Sequence, residues 1–380
     1  MKKLHLLLVG FFTLMFTSMQ AQMSNVALES RYEINDSAAG SVKLEFDNQN
    51  FLRNNEYFHD HATGYTLFGT LLQTKLSYQP SEHWKLTTGI FLRRDFGSNG
   101  FYQVQPMLSL KYQHKGISFV VGNLEGNFNH RLLEPLYNYE RFLTNNQETG
   151  LQFRVDRKKI WSDTWINWEV MQYNRSNYQE QFSAGNHTQI TLLQHAKHEL
   201  KVIAQGLIAH KGGQIDIDTS AMASKLSTAV GLEYVWHTSS FIKEIKTQHY
   251  LLYSSFLNAA KNDPYHQGNA YYATIGLNTK YDVGFNMSFW QGNRFQTSHG
   301  GDLFQSLSSD YTQRRTSDNN RSLLFVRLFY QKKLAKDIYM DIRFEPYYDL
   351  NHSFLEYAYS FYLTYKKDFV LFNEKNHPKK

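Results

Sequence analysis

The sequence lacks three features that often define a fold class. It has no cysteine and only 6 proline residues in 380 positions, and after residue 22 it has no uninterrupted run of eighteen apolar residues. Without cysteine, disulfides, thiolate metal sites and the cysteine-linked anchor of a lipoprotein are excluded. Without a long apolar run, membrane-spanning helices are excluded, because each needs about 20 predominantly apolar residues.

An alternating pattern runs through most of the chain instead. Residues 42–366 read as about sixteen short segments in which apolar and polar residues alternate. In one segment, Asp341, Arg343 and Glu345 share one parity and Ile342 shares the other with Phe344. Successive side chains of a strand point to opposite faces, so each segment predicts a strand with one apolar and one polar face.

The connections between these segments alternate between short polar turns and longer loops, as they do in outer-membrane barrels. We therefore predict an all-β fold, a single closed antiparallel transmembrane β-barrel of about sixteen strands. Fourteen and eighteen strands are also compatible with the pattern. Aromatic residues make up 16 % of the chain, which suits the two interfacial girdles of such a barrel. Trp84, Trp161 and Trp236 stand beside predicted short turns and are assigned to the periplasmic girdle.

The first residues predict a cleaved secretory signal. Lys2 and Lys3 precede an apolar run over 6–15, and the small residue Ala21 stands near the end of the predicted signal. The predicted organisation has four parts: a signal peptide over 1–22, a flexible periplasmic lead-in over 23–40, the barrel over 41–372 and a polar tail over 373–380. The formal net charge of +6 is small for this length, so no nucleic-acid partner is proposed.

Charged residues on the polar parity are predicted to face the lumen, because a Lys or Arg facing lipid near the midplane costs about 2–4 kcal/mol. The predicted inward charges are Lys43, Glu45, Asp47, Arg93, Arg154, Asp156, Glu169, Glu233, Arg327, Asp341, Arg343 and Glu345. A barrel of this size is wide enough for an aqueous channel. These charges could set its selectivity, or they could pair across the lumen and brace it.

Two long loops differ in character. Loop 124–148 carries many apolar residues, which a fully solvated loop does not need, so we predict that it folds into the barrel mouth and narrows the pore. His130, Arg131, Glu134 and Arg141 would lie at this constriction. A self-packed outer cap is the alternative. Loop 296–319 is polar and is predicted to be mobile at the surface.

Catalytic and metal-binding signals are weak. His59 and His61 could share one face of an extended segment, but solvated loop histidines explain them better. His249 could act with Ser254 or Ser255 in a lipid hydrolase, yet their spacing does not distinguish them from other histidines and serines. No known catalytic or nucleotide-binding motif occurs. We therefore predict that the protein is not an enzyme and needs no cofactor.

The segments RLLEPLYNYER at 131–141 and ETGLQF at 148–153, together with the tyrosine-rich strands, resemble porin-type outer-membrane barrel proteins of the Bacteroidota. This resemblance implies residence in the outer membrane of a Gram-negative cell and insertion by the barrel-assembly machinery. The group has no firmly assigned activity.

The predicted function is a porin-like channel for passive or weakly selective passage of small polar solutes. Outer-membrane lipid and those solutes would be its partners, and the sequence leaves the oligomeric state open. The first alternative is a surface-binding barrel that holds a glycan or a protein without transport. A membrane-embedded hydrolase is the least favoured alternative.

Overall fold

The computed structural model describes residues 25, 27–258, 264–310 and 316–374, so the predicted signal peptide lies outside the described residues. Sixteen strands follow one another along the chain: β1 Ser41–Glu56, β2 Tyr65–Gln79, β3 Trp84–Asp95, β4 Gln103–His114, β5 Ile117–Asn123, β6 Thr149–Arg157, β7 Ile160–Val170, β8 Glu180–Gln194, β9 His198–Gly212, β10 Ala223–His237, β11 Ile242–Phe256, β12 Gln267–Thr279, β13 Val283–Asn293, β14 Asn320–Ala335, β15 Ile338–Asp349 and β16 Phe354–Asn373.

The strands form one closed antiparallel barrel in which each strand pairs with its sequence neighbours. Closure comes from β1 and β16, whose register runs from Ser41 opposite Asn373 to Glu56 opposite Tyr357. An up-and-down sheet can close antiparallel only if its strand number is even, and sixteen satisfies that condition. The predicted fold class and strand number are confirmed.

Alternation of side chains builds the wall of the barrel. On β3, Leu86 and Ile90 are exposed on the outer surface, whereas Lys85 and Arg93 on the other parity are buried inside. Trp84 and Trp236 lie on the outer surface as the girdle prediction requires. Trp161 does not, because its side chain is buried on the lumen side, where Arg131 lies 4.0 Å above its ring.

Tight turns join the strands on the periplasmic side. Lys115 and Gly116 both have positive φ, 47° and 74°, which matches the turn type that best fits the twist of a two-residue hairpin. A Cβ on Gly116 would lie 2.3 Å from the carbonyl oxygen of Asp156, so the turn requires glycine there. Within the described residues, helical structure is limited to short turns at Asp36–Ala38, Asn127–His130, Arg141–Thr144 and Asp302–Phe304. None of the helices in the described residues is long and apolar enough to cross a bilayer.

Short strands let loop 124–148 enter the barrel. β5 and β6 have only 7 and 9 residues, and at their upper ends Gly122 pairs with Gly150. Both glycines have positive φ, and a Cβ on either would lie about 2 Å from a carbonyl of the neighbouring strand. This glycine pair allows the chain to turn inward instead of continuing the wall.

The segment 27–40 fills the periplasmic end of the lumen. The Tyr32 backbone N–H donates to Glu125 Oε1 at 2.8 Å, and Arg31 Nε donates to Asn129 Oδ1 at 2.9 Å. Leu28 and the Tyr32 ring are buried. The expectation of a flexible lead-in is therefore wrong for this segment, because its apolar side chains and backbone find partners inside the barrel.

Candidate functional site

Loop 124–148 crosses the lumen from wall to wall. Arg141 lies 3.6 Å from Glu169 on β7, and Glu134 forms a short ion pair with Arg327 on β14. The four residues predicted at a constriction are inside the barrel, but they do not form a ring around an open passage. His130 and Arg131 are buried, and both contact β7, His130 through Asp163 and Arg131 through the Trp161 ring.

His130 anchors this loop to the strands. Its Nδ1 lies 2.9 Å from Asp163 Oδ2, its Nε2 lies 2.8 Å from Glu148 Oε2, and its ring stacks on Trp165 with centroids 3.6 Å apart. The side chain is fully buried. Burial alone would lower the pKa of His130, but the two carboxylates raise it to about 9. At neutral pH an imidazolium therefore joins the loop to the wall.

We expect the loop to loosen at alkaline pH. Because the pKa of His130 in the folded state, about 9, exceeds its ordinary value of 6.5, the stabilisation is complete below about pH 6.5 and is lost as the pH rises through 9. The loss amounts to roughly 3 kcal/mol. Hydrogen exchange of residues 124–148 should therefore accelerate between about pH 7 and pH 10 beyond its intrinsic pH dependence. His130→Gln should lack this extra acceleration, and an unchanged pH profile in that variant would contradict the assignment.

The lumen is a packed interior. A large cluster of buried apolar side chains joins the two long loops to the wall, with Leu133 and Leu136 from one loop and Phe304 from the other against Trp290. The cavities lined by loop 124–148 have volumes of about 10, 10 and 30 Å³, which is room for single water molecules. Loop 296–319 was expected at the surface, but Phe304 is buried in this core.

The predicted inward charges lie on the lumen side of the wall. Eight of them are buried: Glu45, Arg93, Arg154, Glu233, Arg327, Asp341, Arg343 and Glu345. Lys43, Asp47, Asp156 and Glu169 are less buried but share the strand parity of those neighbours. Many of these charges pair with each other or with the loops, such as Arg327 with Glu345 at 3.0 Å. They brace a filled barrel instead of lining a water column.

The histidine–serine pair considered for lipid hydrolysis is not assembled. His249 points to lipid at mid-height of β11, where Nδ1 lies 2.7 Å from the Tyr271 hydroxyl and Nε2 lies 3.2 Å from Thr247 Oγ1. Ser254 faces the lumen and is buried. Ser255 shares the face of His249, but six residues of strand, about 20 Å, separate them.

Another histidine, at the extracellular rim, has the surroundings of a general base. His352 lies in the tight loop between β15 and β16, and its Nδ1 is 3.2 Å from Oδ1 of the fully buried Asp349. The same carboxylate oxygen accepts the backbone N–H groups of Asn351 and His352, both at 2.9 Å. The carboxylate therefore fixes both the loop and the orientation of the ring.

The other nitrogen of His352 faces a second carboxylate. Nε2 lies 3.6 Å from Asp318 Oδ1, which is too long for a direct hydrogen bond, although one water molecule beside the two groups can contact both. Burial alone would raise the pKa of Asp318. The hydrogen bond with His61 and the charge of Arg321 nevertheless hold this pKa below its usual value. Arg321, which is almost fully buried, also lies 3.4 Å from Asp349 and holds the two carboxylates together.

The floor of this rim site is built by the first loop. Glu356 Oε1 accepts the backbone N–H groups of Phe58 and His59, both at 2.6 Å. The His59 ring stacks on Phe354 and lies 5.1 Å from the His352 ring. His61 is buried, so the prediction of a solvated loop histidine is wrong for this residue. Among the described residues, no group of three or more His, Asp or Glu is placed to hold a metal ion.

Comparison with known proteins decides the family. A family model described as "Lipid A 3'-O-deacylase-type" matches residues 34–374. The chain belongs to this family. No curated protein sequence matches it.

Membership of the deacylase-type family corrects two predictions. The porin-like function is wrong, and so is the prediction that the protein is not an enzyme, because the family is defined by a hydrolytic activity. Of the alternatives, the membrane-embedded hydrolase, which was the least favoured, is the one that the family supports. The sequence contains no local catalytic motif that would have indicated a hydrolase.

Solved structures share the fold of this family member. The outer membrane protein OprD from Pseudomonas aeruginosa is 9 % identical, with a TM-score of 0.52 and coverage of 88 % of this chain and 97 % of that one. A loop L8 deletion mutant of OmpT, an outer membrane protein of Vibrio cholerae, is 11 % identical, with a TM-score of 0.54 and coverage of 87 % and 100 %. At such identities the likeness concerns the β-barrel fold alone.

Proposed function

We propose that this barrel hydrolyses the ester bond that links an acyl chain to the 3' position of lipid A. Family membership supplies the reaction class. The observation that supports an active site at the extracellular rim is the half-exposed His352 beside the buried carboxylate of Asp349. Lipid A occupies the outer leaflet of the outer membrane, so its sugar and ester bonds reach the barrel at this height.

Among the histidines that contact carboxylates, His352 is favoured because a lipid substrate can reach its side chain. His61 and His130 have side chains at most 1 % exposed, and a lipid cannot reach them. His299 lies 2.6 Å from Glu169 but is 9 % exposed on the lumen side. His237 is as exposed as His352, at 35 %, but it lies at the periplasmic rim.

Water is the proposed nucleophile. In the described part of the chain no hydroxyl group hydrogen-bonds to His352, whereas Nε2 and Asp318 Oδ1 are close enough for one water molecule beside them to contact both. His352 Nε2 takes a proton from this water as its oxygen attacks the ester carbonyl carbon. The tetrahedral intermediate then expels the sugar oxygen, which receives the proton from Nε2 and leaves as a hydroxyl, and the fatty acid is released. Asp349 orients the ring and stabilises the imidazolium.

Apolar side chains beside His352 suit the acyl chains of such a substrate. Phe58 is 78 % exposed, Leu350 is 46 % exposed and Leu355 is 65 % exposed. Leu350 and Leu355 flank His352 in the chain, and Phe58 precedes His59, whose ring lies 5.1 Å from that of His352. Large exposed apolar groups next to a polar site mark a surface that contacts lipid or a partner.

The test is incubation of the purified full-length barrel with lipid A in mixed micelles, followed by mass spectrometry of the lipid. We expect lipid A to lose the mass of one acyl chain from its 3' position, and free fatty acid to accumulate in equal amount. Asp349→Asn should slow this reaction while leaving the barrel folded, because the amide still accepts the loop N–H groups. Intact lipid A after prolonged incubation with the wild-type protein would contradict the proposal.

A further inference from the structure

The outer surface carries a polar stripe at a height where a barrel should present only apolar residues. Its members, all on the outward parity of β1, β2 and β16, are Asn48, Asn50, Asn54, Glu56, Thr66, Thr70 and Tyr359. We refer to them as the β1 stripe. β1 rises from the periplasmic side, so the stripe occupies the extracellular half of the barrel. Amides that face acyl chains are costly unless they are paired, so such groups mark functional positions.

Hydrogen bonds hold the stripe in one arrangement. Asn48 Nδ2 donates to Thr70 Oγ1 at 2.8 Å, and Asn50 Nδ2 donates to Asn48 Oδ1 at 2.8 Å. Higher up, Thr66 Oγ1 donates to Asn54 Oδ1 at 2.7 Å, and Asn54 Nδ2 donates to the Tyr359 hydroxyl at 3.0 Å. The stripe is thus a pre-formed surface and not a set of loose side chains.

Two polar groups of the stripe remain available to hydrogen-bond a ligand on the outer surface. Asn50 Oδ1 accepts no hydrogen bond from the described residues, and the Thr70 hydroxyl, which accepts from Asn48, keeps its own proton for donation. A single hydroxyl group on an acyl chain could donate to the first and accept from the second, because Asn50 and Thr70 lie directly opposite each other in the sheet. An unsubstituted alkyl chain satisfies neither group.

The stripe leads to the proposed catalytic site. Its upper end is Glu56, three residues before His59, whose ring lies 5.1 Å from His352. Tyr359 lies on β16, the strand that begins directly after the loop of His352. A chain lying along the stripe would therefore have its ester end near that histidine.

We propose that the β1 stripe binds the acyl chain of the substrate and selects chains that carry a hydroxyl group. This inference rests on the proposed deacylase function and adds the feature of the substrate that the barrel recognises. A comparable polar group lies on the opposite wall, with Ser162 and Thr164 on β7 and Asn186 and Thr188 on β8. Ser162 Oγ lies 2.8 Å from Thr188 Oγ1, and Asn186 Nδ2 donates to Thr164 Oγ1 at 2.7 Å. These two strands do not lead to the rim site, so the group offers a matched control.

The experiment uses the full-length protein, the double variant Asn48→Leu/Asn50→Leu and the control Asn186→Leu. Two synthetic lipid A analogues are the probes, differing only in one hydroxyl group on the acyl chain at the 3' position. We expect kcat/KM to be higher for the hydroxylated analogue than for the other with both the wild type and the control. In the double variant, the ratio of the two kcat/KM values should fall by roughly tenfold. An unchanged preference in the double variant would overturn the proposal.

A binding measurement separates this proposal from the proposed function. Retention of each analogue by protein carrying His352→Gln, measured by native mass spectrometry, does not require turnover. Preferential retention that the double variant loses supports the stripe even if no barrel hydrolyses either probe. Equal retention of both analogues overturns it, as does a change of oligomeric state in the double variant, which would assign the stripe to contact between copies.

Discussion

Lipid A deacylation should fall by about 10²- to 10⁴-fold when His352 is replaced by glutamine, the range that a general base contributes. Glutamine can keep a polar contact with Asp349, but it cannot take a proton from water. The loop should keep its shape, since Asp349 holds it through two backbone N–H groups. The measurement is the initial rate of fatty acid release by purified protein.

His237→Gln is the matched control for this variant. His237 is equally exposed and also lies between two carboxylates, 3.6 Å from Glu199 and 3.5 Å from Glu244, but at the opposite rim. Its replacement should leave the deacylation rate within about twofold of wild type, because substitutions away from a site have small effects. Equal activity of wild type and the His352 variant would refute the assignment of the site.

The wild-type barrel should give no conductance steps in planar bilayers under conditions in which a general porin does. Loop 124–148 ties opposite walls together, and the segment 27–40 fills the lower end. A variant in which residues 127–145 are replaced by a short Gly-Ser linker loses His130, Glu134 and the apolar residues of this loop. We expect that variant to conduct, because a barrel of sixteen strands without its filling leaves an aqueous channel.

Both arms of the conductance experiment are informative. Porin-like conductance steps from the wild type would show that the loops open readily, and would contradict the description of the lumen as a packed interior. A silent linker variant would show that loop 296–319 and the segment 27–40 close the lumen without the first loop. Heat-modifiable migration in gels would check that the linker variant still forms a barrel.

Sequence alone predicts the wall well because lipid imposes a strict alternation on every strand. β15 shows this best, since Ile342 and Phe344 face out while Arg343 faces in, as parity requires. Where lumen residues are small and polar, the pattern weakens. β8 begins at Glu180, where the alternation is hard to see because Gln181 and Ser183 are typical loop residues although they share the lumen-facing parity.

The contents of the lumen are harder to predict. The apolar residues of loop 124–148 correctly suggest that it folds inward, but they do not reveal how completely it fills the space. Gly122 and Gly150 at its base are a usable signal, since paired glycines at strand ends permit an inward turn. The burial of Tyr32 and Phe304 depends on contacts between distant segments, which periodicity cannot show.

The rim site is missed for the same reason. His352 takes its carboxylates from a neighbouring strand end, Asp349, and from a distant loop, Asp318. Parity could have rejected the pairing of His249 with Ser254, because an odd separation of five residues places two side chains on opposite faces of a strand. A spacing argument excludes false sites more readily than it finds a site assembled from loops.

The central claim, water-dependent cleavage of lipid A at the extracellular rim, is tested most directly by the reaction in ¹⁸O-labelled water. The purified wild-type barrel should release fatty acid that carries one ¹⁸O in its carboxyl group, while the 3' hydroxyl of the remaining lipid stays unlabelled. Unlabelled fatty acid, or no release at all from a correctly folded barrel, would contradict the account.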